Sequence, residues 1–361
     1  MAAISQNTAT LSVERAAAGQ RSGRWLWLAL AALLLAAFVL SVGLGSVNIP
    51  LGDVLTTLTG GQPARAAWQT IILDFRLPKA LTAMLAGAAL AISGLQMQTL
   101  FRNPLADPFV LGINAGASLG VALVVLAVGT TGAAMLAGLG LLGDMSLTTA
   151  AVLGAALSLA LVLAVARRVG SVTTLLVIGL MFGYAVGALV SLLMYFSIPE
   201  RIQAFINWGF GSFGGVTWQQ MPLFAPLLLA GLLLSWLSVK PLNALLLGED
   251  YARSMGVNVR RARLGIIAGG ALLAGTVTAF CGPVAFLGIA VPHVCRSLLR
   301  TSDHRALIPA CLLAGALWAL GADLAARLPS SEIVLPLNAV MALLGAPVVA
   351  WILWRQRGLR L

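Results

Sequence analysis

From Trp25 to Leu44 the chain reads WLWLALAALLLAAFVLSVGL, without one charged side chain. As a helix rising about 1.5 Å per residue, such a run crosses the roughly 30 Å hydrocarbon layer of a bilayer. Peptide groups in lipid find no water, so an apolar run must pair its own backbone as a helix or join a closed barrel. The short alternating segments of a membrane barrel do not occur in this sequence. Comparable apolar runs recur at residues 80–100, 109–128, 146–166, 172–196, 222–239, 264–281, 284–299, 306–326 and 333–354. Only 9% of the residues are charged, too few to cover an exterior facing water, where about 25% is usual. The sequence therefore predicts an all-α membrane protein with ten transmembrane helices.

The formal net charge of +11 would point to nucleic acid in a soluble protein. Here the charges lie in short segments between apolar runs, where membrane topology accounts for them, so nucleic acid is not expected as a partner. With ten spans both termini fall on one side. Of the 22 Lys and Arg residues, Arg65, Arg76, Lys79, Arg201 and Arg327 then lie opposite the rest. Dropping the run at 284–299, weakened by Pro292, His293 and Arg296, would nearly even the two sides. The positive-inside rule thus favours ten spans with both termini cytoplasmic. Residues 1–24 read as a flexible cytoplasmic tail and 25–361 as one ten-helix unit. No convincing A-x-A site follows the first run, so it reads as a retained helix and not a cleaved signal.

Gly112, Gly116 and Gly120 share a face of the third run, as do Gly179, Gly183 and Gly187 on the fifth. Small residues at this spacing let helix backbones approach closely in lipid. Residues 199–218 are rich in Gly and aromatics and read as a short interfacial helix, with Trp208 and Trp218 at the membrane boundary. Residues 240–263 form the longest cytoplasmic loop. Its first half can be helical, Gly256 offers a stop, and a second short turn follows.

Catalytic chemistry is not expected. A phosphate-binding loop needs a lysine followed by Ser or Thr, whereas Lys79 precedes Ala80 and Lys240 precedes Pro241. Cys281, Cys295 and Cys311 lack paired spacing and read as small buried hydrophobes. His293 and His304 are the only histidines, so no metal or other cofactor is predicted. Asp323 lies inside the ninth run, where a carboxylate is a functional suspect. Arg327, four residues on, offers it a sufficient helix-end partner. An ion-coupled secondary transporter, the alternative from another class, would need paired charges near the span centres. The runs hold no good candidate.

The stretch RLPKALTAMLAGAALAISGLQMQTLFRNPLADPFVLGINAGASLG at 76–120 closely resembles the FecCD-type permease family. GEDYARSMGV (248–257), GPVAFLGIAVPHVCRSLL (282–299), SDHRALIP (302–309) and LLGAPVVAWIL (343–353) resemble its other blocks, in family order. The resemblance covers roughly residues 40–355. It implies the type II ABC importer permease fold: ten helices per chain, with helices 2–5 and 7–10 related by inverted pseudo-symmetry. The expected partners are two ATP-binding subunits, a periplasmic or lipid-anchored substrate-binding protein and a second copy of the chain, in the cell inner membrane. The expected cargo is an iron(III)–siderophore chelate, with haem or cobalamin as alternatives.

The resemblance also implies site residues. Glu249, Asp250, Arg253, Met255 and Gly256 fall in the segment that rests on the ATPase. Arg76, Lys79 and Arg327 fall where the family docks its binding protein, and as helix-end cations they are expected to face water. Their plainer reading is headgroup anchoring. Asn103 and Leu105, with Val172 and Thr173, fall at the cytoplasmic gate. Asn103-Pro104 also suits a turn and helix cap.

Overall fold

The computed structural model describes residues 25–45, 47–127, 144–169, 171–327 and 334–357. The tail at 1–24 lies outside the described residues. Within them regular structure is helical, apart from an isolated bridge between Arg327 and Val334. The helices are α1 (Trp25–Gly43), α2 (Leu51–Leu58), α3 (Ala66–Leu100), α4 (Ile113–Leu126), α5 (Asp144–Arg168), α6 (Val172–Tyr195) and α7 (Pro199–Gly209). Then come α8 (Met221–Leu237), α9 (Val239–Leu246), α10 (Glu249–Ser254), α11 (Val259–Cys281), α12 (Leu287–Leu299), α13 (His304–Ala326) and α14 (Leu337–Arg357). Each apolar run coincides with one helix, or with the bent pair α8–α9.

Three elements depart from the expected boundaries. α3 starts at Ala66, well before residue 80, and widens into a π-helical turn at Ile71–Arg76 before Pro78. A wide turn makes room for a proline ring and its missing N–H. Trp218 Nε1 donates to the Leu73 carbonyl in that turn at 2.8 Å, so this indole is spent on α3. α8 does not end in a loop but continues into α9 after a 49° bend at Ser238. Ser238 Oγ donates back to Leu234 O at 2.8 Å, a bond that bends helices, and Pro241 follows. The run at 284–299 keeps only its last 13 residues as helix. Phe286 at φ +66 turns the chain into α12, and Ala285 N donates to Asn338 Oδ1 at 3.0 Å. Non-helical backbone is tolerated there because protein, not lipid, surrounds it.

α3 and α11 form the centre. The apolar window of α3 is 83% buried and that of α11 78%, against 17% for α1 and 22% for α6. α3 packs against α13, α11, α12 and α8, while α4 packs on α5 and α5 on α11. These contacts close to backbone distance at glycines. A Cβ on Gly87 would sit on Gly315 O of α13, and one on Gly94 on Gly288 O of α12. Gly116 and Gly120 of the first glycine stripe meet Gly154 and Ala150 of α5, whereas Gly112, at φ +77 ahead of α4, meets Phe182 of α6. The second stripe divides. Gly179 approaches Val110 O, whereas Gly183 and Gly187 face open space. All three cysteines are free and buried.

Candidate functional site

α10 is short because both its ends are set by glycine. Gly248 precedes it at φ +111, and Gly256 follows Met255 at φ +81, backbone that L side chains adopt only with strain. Glu249 and Asp250 complement the positive helix N-terminus and Arg253 the other end. Arg253 lies 3.5 Å from Glu249 and 3.6 Å from Asp250, exposed pairs that contribute little. Ala252 is buried beneath them, while Tyr251 and Met255 project outward.

The stronger contact was not foreseen. Arg263 on α11, almost wholly buried, donates to Glu249 Oε1 at 2.7 Å and to the Val169 carbonyl at 3.4 Å. Arg260 donates to Arg167 O at 2.7 Å. Together they cap the carbonyls that a helix leaves unpaired at its C-terminus, here those of α5. α10 is thereby tied to the α5–α6 junction, where Val172 and Thr173 open α6 behind the cap Ser171, whose Oγ accepts from Thr174 N. In sequence Arg263 is one of four arginines in the 240–263 loop, and nothing in that pattern marks it.

Asn103 Oδ1 accepts from Leu105 N at 3.0 Å, the expected turn, and Leu105 is exposed. His293 Nε2 donates to Pro104 O at 2.8 Å and holds the turn to α12. Among the described residues no hydrogen bond joins Asn103 or Leu105 to Val172 or Thr173. The two segments are linked instead by the 3-10 turn Pro108–Leu111, which packs on α6 at Gly179. Asp107 caps that turn, accepting from Phe109 N at 2.9 Å. Burial pushes its carboxyl up to about 6, although the Phe109 bond pulls it down.

For a raised carboxyl, the stabilising contribution is full below the ordinary value near 3.8 and is lost as pH rises through about 6. Asp107→Asn keeps the cap and removes the buried charge. It is expected to raise stability by up to about 3 kcal/mol at pH 7–8, with the gain vanishing towards pH 4. Thermal unfolding in detergent across that range checks it; a pH-independent gain would contradict the charge argument.

At the other end of the bundle Arg76, Lys79 and Arg327 do not face water as helix-end cations were expected to. Because α3 starts early, Arg76 and Lys79 lie within a helix. Arg76 is 7% exposed and donates to Val42 O at 3.0 Å, Gly43 O at 2.6 Å and Val47 O at 2.5 Å. Arg327 donates to Leu44 O at 2.9 Å and Ser41 O at 3.2 Å, and to Asp323. Lys79 Nζ lies 3.0 Å from the same carboxylate. Arg76 and Arg327 hold the carbonyls at the C-terminal end of α1, the negative end of its dipole, and Lys79 and Arg327 share Asp323 as counter-ion. Headgroup anchoring does not describe them, because their acceptors belong to the chain itself.

The described residues hold six helices long and apolar enough to cross a membrane, seven if the bent pair α8–α9 is one span, with the short, tethered α10 among the elements that join them. The FecCD transport family model matches residues 33–355, and the chain belongs to that family. A vitamin B12 import system permease protein from Klebsiella pneumoniae is 41% identical over 341 residues, 94% of this chain and 96% of that protein. The protein of the same name from Shigella boydii is 39% identical over 336 residues, covering 92% and 96%. A solved structure described as an inward-facing conformation of a metal-chelate type ABC transporter matches with TM-score 0.78 at 30% identity, over 92% of this chain and 99% of that one. The protein is thus a multi-pass, non-catalytic subunit of an ABC importer, a family that works with ATP-binding subunits and a substrate-binding protein.

Proposed function

We propose that two copies of this chain form the translocation path of an inner-membrane importer for a corrinoid, with both termini cytoplasmic and α10 resting on the ATPase. The observation that supports the coupling role most directly is the Glu249–Arg263 contact at 2.7 Å. It ties a surface helix to α11 and, through Arg263 and Val169, to the end of α5, so a push on α10 moves the bundle. Val172 and Thr173, with Asn103 and Leu105, are the cytoplasmic gate in this reading. The second copy is supported by the open face of α6 at Gly183 and Gly187. Docking of the binding protein on Arg76, Lys79 and Arg327 would require its acidic groups to compete with Asp323 and the α1 carbonyls.

The corrinoid is supported by the names of the relatives from Klebsiella and Shigella. An iron–siderophore chelate is the second reading, favoured by the metal-chelate type structure. Vesicles containing the chain, its ATPase and its binding protein should accumulate labelled cobalamin only with ATP. Ferric siderophore uptake that excess cobalamin does not compete away would select the second reading, and uptake following an ion gradient without ATP would sink both. In the same vesicles Arg263→Glu is expected to lower uptake per ATP about tenfold by repelling Glu249. The charge swap Glu249→Arg with Arg263→Glu should restore part of it. Gly256→Val, forced away from φ +81, should resemble the single reversal. Unchanged coupling in both would make α10 an ordinary solvated helix.

A further inference from the structure

His304, the first residue of α13, is 1% exposed, and both its ring nitrogens are engaged. Nδ1 lies 2.7 Å from Asn243 Oδ1 on α9. An amide oxygen only accepts, so Nδ1 carries the proton. The same oxygen accepts the backbone N–H of His304 at 2.9 Å, and Asn243 Nδ2 donates to Asp303 Oδ1 at 2.6 Å. A flipped amide would set N–H groups against donors and its oxygen against a carboxylate, so the partners fix its orientation. On the far side Nε2 lies 2.9 Å from Thr99 Oγ1 on α3, and the one hydroxyl proton of Thr99 is shared between the neutral ring and the Leu95 carbonyl, also at 2.9 Å. Thr99 is buried one residue before the end of α3, and the Arg102–Leu105 turn follows directly.

We propose that Asn243, His304 and Thr99 are positioning residues that carry movement of the α10 segment to the Arg102–Leu105 turn. This rests on the reading of α10 as the ATPase contact. α9 leads into α10 and meets α8 at a 49° bend, so a displaced α10 would swing α9 about Ser238. Apolar contacts can slide under such a swing. Buried hydrogen bonds resist it, because opening them leaves desolvated donors and acceptors unpaired. The chain of three side chains therefore makes α13 and the end of α3 follow α9.

A merely structural role has a different signature. Asn243 also caps the first N–H of α13, and that cap needs nothing from α3. Thr99 is thus the member whose loss separates the roles. Thr99→Val keeps the shape and removes the hydroxyl; Thr99→Ser keeps the hydroxyl.

The test uses the assembled transporter with its ATPase in vesicles and, for the mobility readout alone, a spin label at the exposed position 105 by Leu105→Cys; uptake is measured without that substitution. In the otherwise unaltered chain, ATP should change the label's mobility. Thr99→Val and Asn243→Leu should abolish that response while ATP hydrolysis continues, and uptake of labelled cobalamin per ATP should fall about tenfold. Thr99→Ser should retain both. A full ATP response in both Thr99→Val and Asn243→Leu overturns the relay, as does an equal loss in Thr99→Val and Thr99→Ser. A label that ignores ATP in the unaltered chain overturns instead the reading of α10, a result distinct from failure of the relay.

Discussion

Asp323→Ala is expected to destabilise the folded subunit by about 3–5 kcal/mol, the usual cost of removing one partner from a buried ion pair. The side chain is 5% exposed, and its cationic partners Lys79 and Arg327 are only 21% and 14% exposed. Without the carboxylate, Lys79 loses the anion it pairs with among the described residues, and Arg327 keeps the Ser41 and Leu44 carbonyls. Arg76 lies beside Arg327, and the two like charges repel. The loss should change little with salt, because buried pairs are poorly screened. Lys79→Met in the Asp323→Ala background should recover part of it, since one of the stranded charges is then gone. Denaturation in detergent at two ionic strengths measures both effects. An Asp323→Ala subunit within about 1 kcal/mol of the parent would show that the cluster is solvated enough to act as a free docking surface.

That cluster also marks where sequence reading runs out. Arg76, Lys79 and Arg327 read as outward-facing because basic residues near helix ends so often snorkel to water. The carbonyls that Arg76 and Arg327 hold belong to residues 41–47, and a carbonyl has no sequence signature. Asp323 and Arg327 were legible as a pair because i, i+4 spacing is local. Lys79 as the third member was not, because it reaches Asp323 from another helix.

The same division runs through the bundle. Apolar runs give the helices, since lipid leaves the backbone no alternative. The early start of α3 was hidden because Arg65, Asp74, Arg76 and Lys79 lower its local hydropathy, although the face it presents to α1 and α13 is buried. The Gly256 turn was legible from residue type alone, and the role of α10 only through the family likeness. Arg263 and the Asn243–His304–Thr99 junction were invisible for one reason: their partners are far along the chain. Histidine scarcity argued against a metal, but it gave no hint that His304 joins three helices.

Gly94→Val is the second large effect, with loss of folded, monodisperse protein as the expected outcome. The new Cβ would lie on the Gly288 carbonyl, and its nearest neighbours are all backbone. A flexible side chain could move aside; a helix backbone moves only as a unit. α3 is held on a second side by Ser93 Oγ donating to Gly270 O of α11 at 2.7 Å, and to α12 itself by Gln98 Nε2 donating to Gly288 O at 3.2 Å. Parting α3 from α12 would break the second of these and strain the first, so the cost should exceed the roughly 1–3 kcal/mol of ordinary overpacking. Gly183→Ala is the matched control, since nothing lies within 4 Å of its added Cβ. Alanine suits a helix interior better by up to about 1 kcal/mol, so the Gly183→Ala subunit should fold at least as well as the parent. If a second copy covers the open face of α6, that substitution will still weaken dimerisation, visible by size-exclusion light scattering without any fall in melting temperature. A Gly94→Val subunit that folds at the parent's yield and melting temperature would mean that the α3–α12 contact is looser than backbone-to-backbone.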